Sequence, residues 1–347
     1  MQEGHLQSAL DEMLYRRIPI QLGGMTDPFS EWERLHNVTL RILEALNEYS
    51  YPTLISTKGQ IIGDKKYIKT LKNGNYYIRI SITGASNSIS KILEHGVVDI
   101  RQRLNLISKL AENGLNVSVR LQPLIPGFER SAETLIEKIA KAGARHISVE
   151  YLKWPVEWQS HQSIQLDQLI NFNKDHYLKV GANRVGREYV LPATFKAKAL
   201  FRLKEIAEEK GVLFGFADNE FLHFNDFESC CNGADKFLKG ANFFKCNILT
   251  AVKVRPGAKI FFKSLEREWR PELKLSTYLN SRSRLNDFYP ARDEWLEILR
   301  QKWNAKSWRG GPESFYGVER SGDLDSDGNV VFVRHPKATT VISKGVA

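Results

Sequence analysis

An α/β fold built on a parallel sheet is what this sequence predicts, and three observations carry the prediction. Through the first 220 residues, short apolar runs alternate with amphipathic helical stretches, each unit punctuated by Gly or Pro. The apolar runs are nearly continuous, as in strands covered on both faces. The connections are short, so each helix returns the chain to the same sheet, either doubly wound or closed into a barrel.

Taken in order, the strands are expected at Ile18–Gly23, Thr53–Thr57, Tyr76–Ile82, Asn116–Leu121, His146–Leu152 and Val212–Ala217. A helix from Asp99 to Asn113 places Ile100, Leu104, Ile107 and Ala111 on one face and stops at Gly114. The next starts near Ser131, turns Leu135, Ile136, Ile139 and Ala140 inward, and stops at Gly143; a third ends at Gly211. Beyond residue 220 the alternation ceases, which sets a boundary between a 1–220 domain and a 221–347 region. Residues 221–250 are rich in Cys, Asn and Gly. Residues 251–310 interleave basic residues with Phe261, Phe262, Trp269, Tyr278, Phe288, Tyr289, Trp295, Trp303 and Trp308.

Composition narrows the class. The chain has 347 residues, 42% hydrophobic and 26% charged, which is globular composition. It contains no run of 18 uncharged apolar residues, so no membrane span is expected. The opening MQEGHLQSALDEMLYRR has early acids and no apolar core, unlike a signal peptide. Three cysteines, Cys230, Cys231 and Cys246, make no disulfide framework and fit a reducing cytoplasm. The net charge is +10; residues 251–310 hold 14 Lys/Arg against 7 Asp/Glu, a net of +7. Such a surface either attracts phosphate-bearing partners, nucleic acid among them, or is simply a solvated charged face.

In parallel α/β folds ligands sit at the C-terminal strand ends, so the residues there are the candidates. Gly23-Gly24-Met25-Thr26-Asp27-Pro28-Phe29 follows the first strand; its glycines permit close approach of a ligand, or make a tight turn capped by Asp27. Pro28 is expected to open a helix. Ser56-Thr57-Lys58-Gly59 follows the second strand, where Lys58 either meets an anion or stays a surface lysine. Ser81 and Thr83 share a face after the third strand. Arg120 and Gln122 alternate with apolar residues in the fourth; a buried arginine needs a partner, for which Glu150 is one candidate. Asp218-Asn219-Glu220 either ligate a metal or cap a loop. No Gly-rich phosphate loop and no H-E-x-x-H is present, and the cysteine spacing is that of packed structural thiols rather than a zinc or iron–sulfur site.

In combination the string GGMTDPF, the Ser-Thr-Lys after the next strand, Ser81, the Leu93-Glu94 through Arg103-Leu104 stretch and the VRLQPLIPG string at 119–127 resemble the radical S-adenosylmethionine (SAM) proteins of the spore photoproduct lyase-like group. The resemblance covers roughly residues 15–220. It implies a partial parallel (βα) barrel lacking its first strand, with an irregular basic extension at its C-terminal side. It also implies SAM and a [4Fe-4S] cluster as cofactors, an electron donor, and reductive SAM cleavage followed by hydrogen abstraction from substrate. Site residues implied for the cofactor are Gly23, Gly24, Met25, Thr26, Asp27, Ser56, Lys58, Ser81 and Arg120. The family's C-x-x-x-C-x-x-C loop should precede Gly23, yet none of the preceding 22 residues is Cys. A cluster is therefore not expected on this chain as given, and Cys230, Cys231 and Cys246 do not replace the loop by position. Nucleic acid is the expected substrate class, with Arg282, Arg284 and Arg309 as contacts. The alternatives are a catalytically silent barrel that binds nucleic acid, and a non-radical barrel enzyme acting on a phosphorylated small molecule.

Overall fold

A computed structural model describes residues 8–83, 86–94, 96, 98–157, 161–171, 173–272, 292–306 and 310–335. Six parallel strands form its central sheet: β1 (Ile20–Leu22), β2 (Thr53–Thr57), β3 (Tyr76–Ile82), β4 (Asn116–Leu124), β5 (His146–Tyr151) and β6 (Leu213–Phe216). Their spatial order is their chain order. A doubly wound sheet reverses direction at a switch point; this one never does, so it winds one way, as a segment of barrel wall. All six expected strands are present, and β1 and β6 are the sheet's two edges.

The sheet has one apolar and one polar face. Ile78, Ile80, Val117, Val119, Leu121, Ile147, Val149, Phe214 and Phe216 are buried on the side where the helices pack. The helix Glu129–Lys141 contributes Leu135, Ile136 and Ile139, and the helix Ala193–Glu209 contributes Leu200, Leu203 and Ile206. Strand side chains alternate between faces, and the register places Ser56 beside Arg79, Arg79 beside Ser118, Ser81 beside Arg120, Arg120 beside Ser148 and Ser148 beside Gly215. The inner face is thus polar, and the strands are covered on both faces. Arg79 bonds Ser56 and Ser118 bonds His146 on this face, which offsets part of the cost of burying polar groups there.

The helix Ile100–Glu112 starts at a capping box formed by Asp99 and Gln102. Its buried face holds Arg103, Leu106, Ile107 and Leu110 rather than Ile100, Leu104 and Ala111. The rotation has a cause: Arg103 reaches under the sheet end to the Ser81 carbonyl and Glu94.

The chain divides into two compact units, residues 20–218 with 229–239, and residues 1–19, 219–228 and 240–347. The second unit contains an antiparallel sheet of β7 (Lys259–Ile260), β8 (Val318–Leu324) and β9 (Val330–Arg334), with β9 central. Trp303 fills its core between Phe262 and Phe332, and donates its indole N–H to the Val330 carbonyl at 2.7 Å. Several aromatics of the basic segment therefore serve as core. No helix among the described residues is long and apolar enough to cross a membrane.

Candidate functional site

The loop after β1 is held firmly. Gly23 has φ +87°, and a Cβ there would lie 1.9 Å from the Ser56 carbonyl oxygen, so only glycine lets the loop backbone rest on β2. Asp27 fixes the far side: it accepts from Thr57 Oγ1 at 2.6 Å, from the Lys58 amide at 2.7 Å and from the Phe29 amide at 2.9 Å. Both lone-pair sets of its carboxylate are thereby engaged in shaping the loop. Pro28 stays in the turn; the helix Glu31–His36 begins later, after Ser30. Gly24 and Thr26 are exposed, and Met25 at the tip is 98% exposed.

Glu94 gathers the next group. It accepts from Lys58, from Thr83 and from Arg103, the last at 2.9 Å. Burial pushes its carboxyl up, but the bonds from Lys58, Thr83 and Arg103 outweigh this and hold it below the usual glutamate value. Arg103 also donates to the Ser81 carbonyl, while its Nε lacks a hydrogen-bond partner.

Further in, Arg79 donates Nε to Ser56 Oγ at 3.1 Å. It is only 4% exposed, and among the described residues no carboxylate pairs with it. Burial pulls its guanidinium below the usual arginine value. Arg120, half-buried, meets Glu150 at 3.4 Å, and Lys153 pairs with the other oxygen of the same carboxylate. Arg120 Nε has no partner. Desolvation would lower the Lys153 ammonium, yet Glu150 raises it beyond its ordinary value. Asp218 is paired with Lys196 at 2.6 Å and accepts the Tyr151 amide at 3.0 Å, a structural role at the loop.

The deep part of the inner face is closed by residues 229–239. Phe237 stacks on Tyr77 with ring centroids 4.8 Å apart. A Cβ on Gly215 would lie 2.4 Å from the Cys231 carbonyl oxygen, which places that backbone against β6. His146 hydrogen-bonds Ser118 at 2.8 Å, and burial lowers its imidazole to about 3.

Gly23 and Lys58 lie just past β1 and β2, Ser56 and Ser81 fall in the last residues of β2 and β3, and Arg120 lies within β4 beside Ser81. Asp27 and Lys58 are engaged by the protein itself. Arg282, Arg284 and Arg309 lie outside the described residues. Sequence reasoning missed Arg79, Glu94 as an ion-pair hub, Ser148 and Cys231. The alternation Ile-Arg-Ile-Ser-Ile at 78–82 was the available signal for Arg79. Among the described residues no group of three or more His, Cys, Asp or Glu side chains is placed to hold a metal ion. Cys230 is exposed, Cys231 intermediate and Cys246 buried. A [4Fe-4S] cluster needs several thiolates converging on it, so the described residues do not fit one.

A singly wound α/β sheet with a polar inner face at its strand ends defines the class. No family model matches the chain. An uncharacterized protein of Mycobacterium tuberculosis and one of Mycobacterium bovis are each 25% identical to it over 205 residues, 55% of this chain and 60% of theirs. The chain thus spans about 60% of the length of these curated relatives. It is also similar to a radical SAM Nα-GlyT isomerase of Pseudomonas phage M6, 24% identical over 136 residues, 38% of this chain and 28% of that one. Solved structures that match include a spore photoproduct lyase with 17% identity, TM-score 0.44, 60% of this chain and 64% of that one. Another is a domain of pyruvate-formate lyase-activating enzyme from Bacteroides vulgatus, with 12% identity, TM-score 0.37, 57% of this chain and 98% of that domain. The fold is α/β, and the chain's motifs resemble the radical SAM proteins of the spore photoproduct lyase-like group.

Proposed function

We propose that the inner face of the sheet, at the C-terminal ends of β1 to β5, binds S-adenosylmethionine as part of a radical SAM-type enzyme. The observation that carries the reading is the row Ser56, Arg79, Ser81, Arg120 and Glu150, polar groups on one face of a sheet whose other face is apolar. A zwitterionic amino-acid group needs both signs of charge within reach, and Arg120 and Glu150 supply them 3.4 Å apart. The unpartnered Arg120 Nε is a donor for a carboxylate. Ser56 and Ser81 offer hydroxyls, and the Gly23-Gly24-Met25-Thr26 backbone forms an accessible wall. In this reading Asp27 and Lys58 position the loop and the Glu94 hub rather than touch the ligand.

The chain's own residues bind, orient and shield the ligand. The substrate class proposed is nucleic acid, supported by the net +7 of residues 251–310; Arg282, Arg284 and Arg309 are the proposed contacts.

Isothermal titration of the chain with SAM tests the reading. Arg120→Ala removes a charge-assisted contact and should weaken binding by about 1.5–3 kcal/mol, or roughly 10- to 150-fold. Absence of SAM binding by the folded wild-type chain, or equal affinity in the variant, refutes it.

A further inference from the structure

We propose that Cys231 is a modification site: a nucleophilic thiol seated on the inner face beside Arg79 and Arg120, open to a soft electrophile such as a low-molecular-weight disulfide. It does not depend on SAM binding.

Placement comes first. The segment carrying Cys231 belongs to the same compact unit as the sheet. Its backbone is fixed on either side of the thiol. Ser229 donates its amide and hydroxyl to Asp235 at 3.0 and 2.6 Å, and Phe237 stacks on Tyr77. Gly215 and Gly233 are the close-approach points: a Cβ on the first would strike the Cys231 carbonyl, and one on the second would press the His146 ring at 3.0 Å. Cys231 is thus held against β6 and is half-buried.

Its surroundings favour an anion. Arg79 is almost wholly buried and, among the described residues, has no carboxylate partner. Leaving a guanidinium buried without a counter-charge is costly, and a thiolate at Cys231 supplies one. The charged and titratable groups that act on Cys231 are Cys230, Arg79, Arg120 and Glu150, and Tyr77 also faces it. The hydrogen bond from Cys230 lowers the thiol most and exceeds the opposing effect of burial. Arg79 and Arg120 lower it further, Glu150 raises it, and the net value is about 7. Cys246 is the contrast: burial raises it, and it sits in the core of the other unit.

A second, independent observation points to a ligand here. Ser148 is 0% exposed, yet its hydroxyl has no hydrogen-bond partner. It lies in register between Arg120 and Gly215, so it points to the same face that Cys231 covers. That free hydroxyl is a hydrogen-bond donor for a polar group carried on the sulfur.

The reaction balances without further reagents. The Cys231 thiolate attacks one sulfur of R–S–S–R, the S–S bond breaks, a new Cys231–S–R bond forms, and R–S⁻ leaves to take a proton from water. One disulfide is exchanged for another with no net oxidation. A thiol that ionises near ambient pH is the best placed for this exchange. Modification removes the thiolate charge, so Arg79 loses its counter-ion.

The test is site-resolved alkylation of the full chain by iodoacetamide across pH 5.5–9.5, read by peptide fragmentation mass spectrometry. Cys231 should show a midpoint near 7. An ordinary thiol titrates near ~8.5, so at pH 6 Cys231 should hold a roughly 30-fold larger thiolate fraction, and react about 5-fold faster after its lower nucleophilicity is allowed for. Arg79→Gln should raise the midpoint and Arg79→Lys should leave it low. If Arg79→Gln does not fold, Cys230→Ser should raise the midpoint by removing the largest lowering contribution. Glutathione disulfide should add one glutathione at Cys231 and none in Cys231→Ser at that peptide. A Cys231 midpoint at the ordinary thiol value, or one unmoved in both folded variants, overturns the proposal.

Discussion

The buried pair of Lys196 and Asp218 offers a sharp test of how the strand ends are held. Both side chains are 1% exposed and meet at 2.6 Å, and Asp218 also accepts the Tyr151 amide. Replacing Lys196 with Met keeps the volume but leaves a carboxylate buried with one backbone N–H, which should cost about 3–5 kcal/mol. Asp218→Asn keeps an acceptor for Tyr151 but strands the ammonium, at similar cost. In the double variant neither charge remains, and it should be more stable than either single change by roughly 1–3 kcal/mol. Urea denaturation followed by the fluorescence of Trp154, in the same compact unit, is the assay. With an m-value of ~3 kcal/mol/M, the single variants should lose about 1–1.7 M in midpoint. A Lys196→Met midpoint within ~0.3 M of wild type, or a double variant less stable than both singles, would refute the reasoning.

Other outcomes follow from the same geometry. Gly23→Ala places a Cβ against the Ser56 carbonyl at a positive φ and should destabilise by more than ~1–2 kcal/mol, checked by the same denaturation. His146 is buried neutral with its imidazole lowered to about 3. Its contribution is complete above the unfolded histidine value of about 6.5 and is lost as pH falls through that window towards 3; His146→Gln should flatten stability against pH there. Glu94, held below its usual value, contributes stability above the unfolded glutamate pKa that disappears on further acidification, and Glu94→Gln should abolish that component. Replacing Arg282, Arg284 and Arg309 together with Ala should reduce the salt slope of nucleic-acid binding by about two to three units in fluorescence anisotropy; an unchanged slope removes them as contacts.

The strand positions were readable because parallel strands leave compact apolar signatures between Gly and Pro stops, and the structure has all six. Winding direction was not, since strand order is a long-range property that no local window contains. The polar inner face lay half in view: the alternation of Arg120 and Gln122 with apolar residues was legible, but the matching Arg79 and Ser148 on the neighbouring strands were not picked out. Arg103 was misplaced for a related reason. Helical periodicity seeks apolar residues, whereas here an arginine is drawn inward by Glu94 and a carbonyl. Cys231 was invisible from spacing, because its partners Arg79 and Arg120 come from strands more than a hundred residues earlier.

The route of the chain between the two units has a consequence for what can be cut or exchanged. The polypeptide leaves the sheet after residue 218, returns for residues 229–239, and leaves again. The returning stretch brings Phe237 onto Tyr77 and the Cys231 backbone onto Gly215. A fragment ending at 218 would hold all six strands and still leave the Tyr77 ring without its Phe237 cover. The units therefore cannot be swapped as cassettes: recombination at the obvious seam would sever the barrel wall from its own lining.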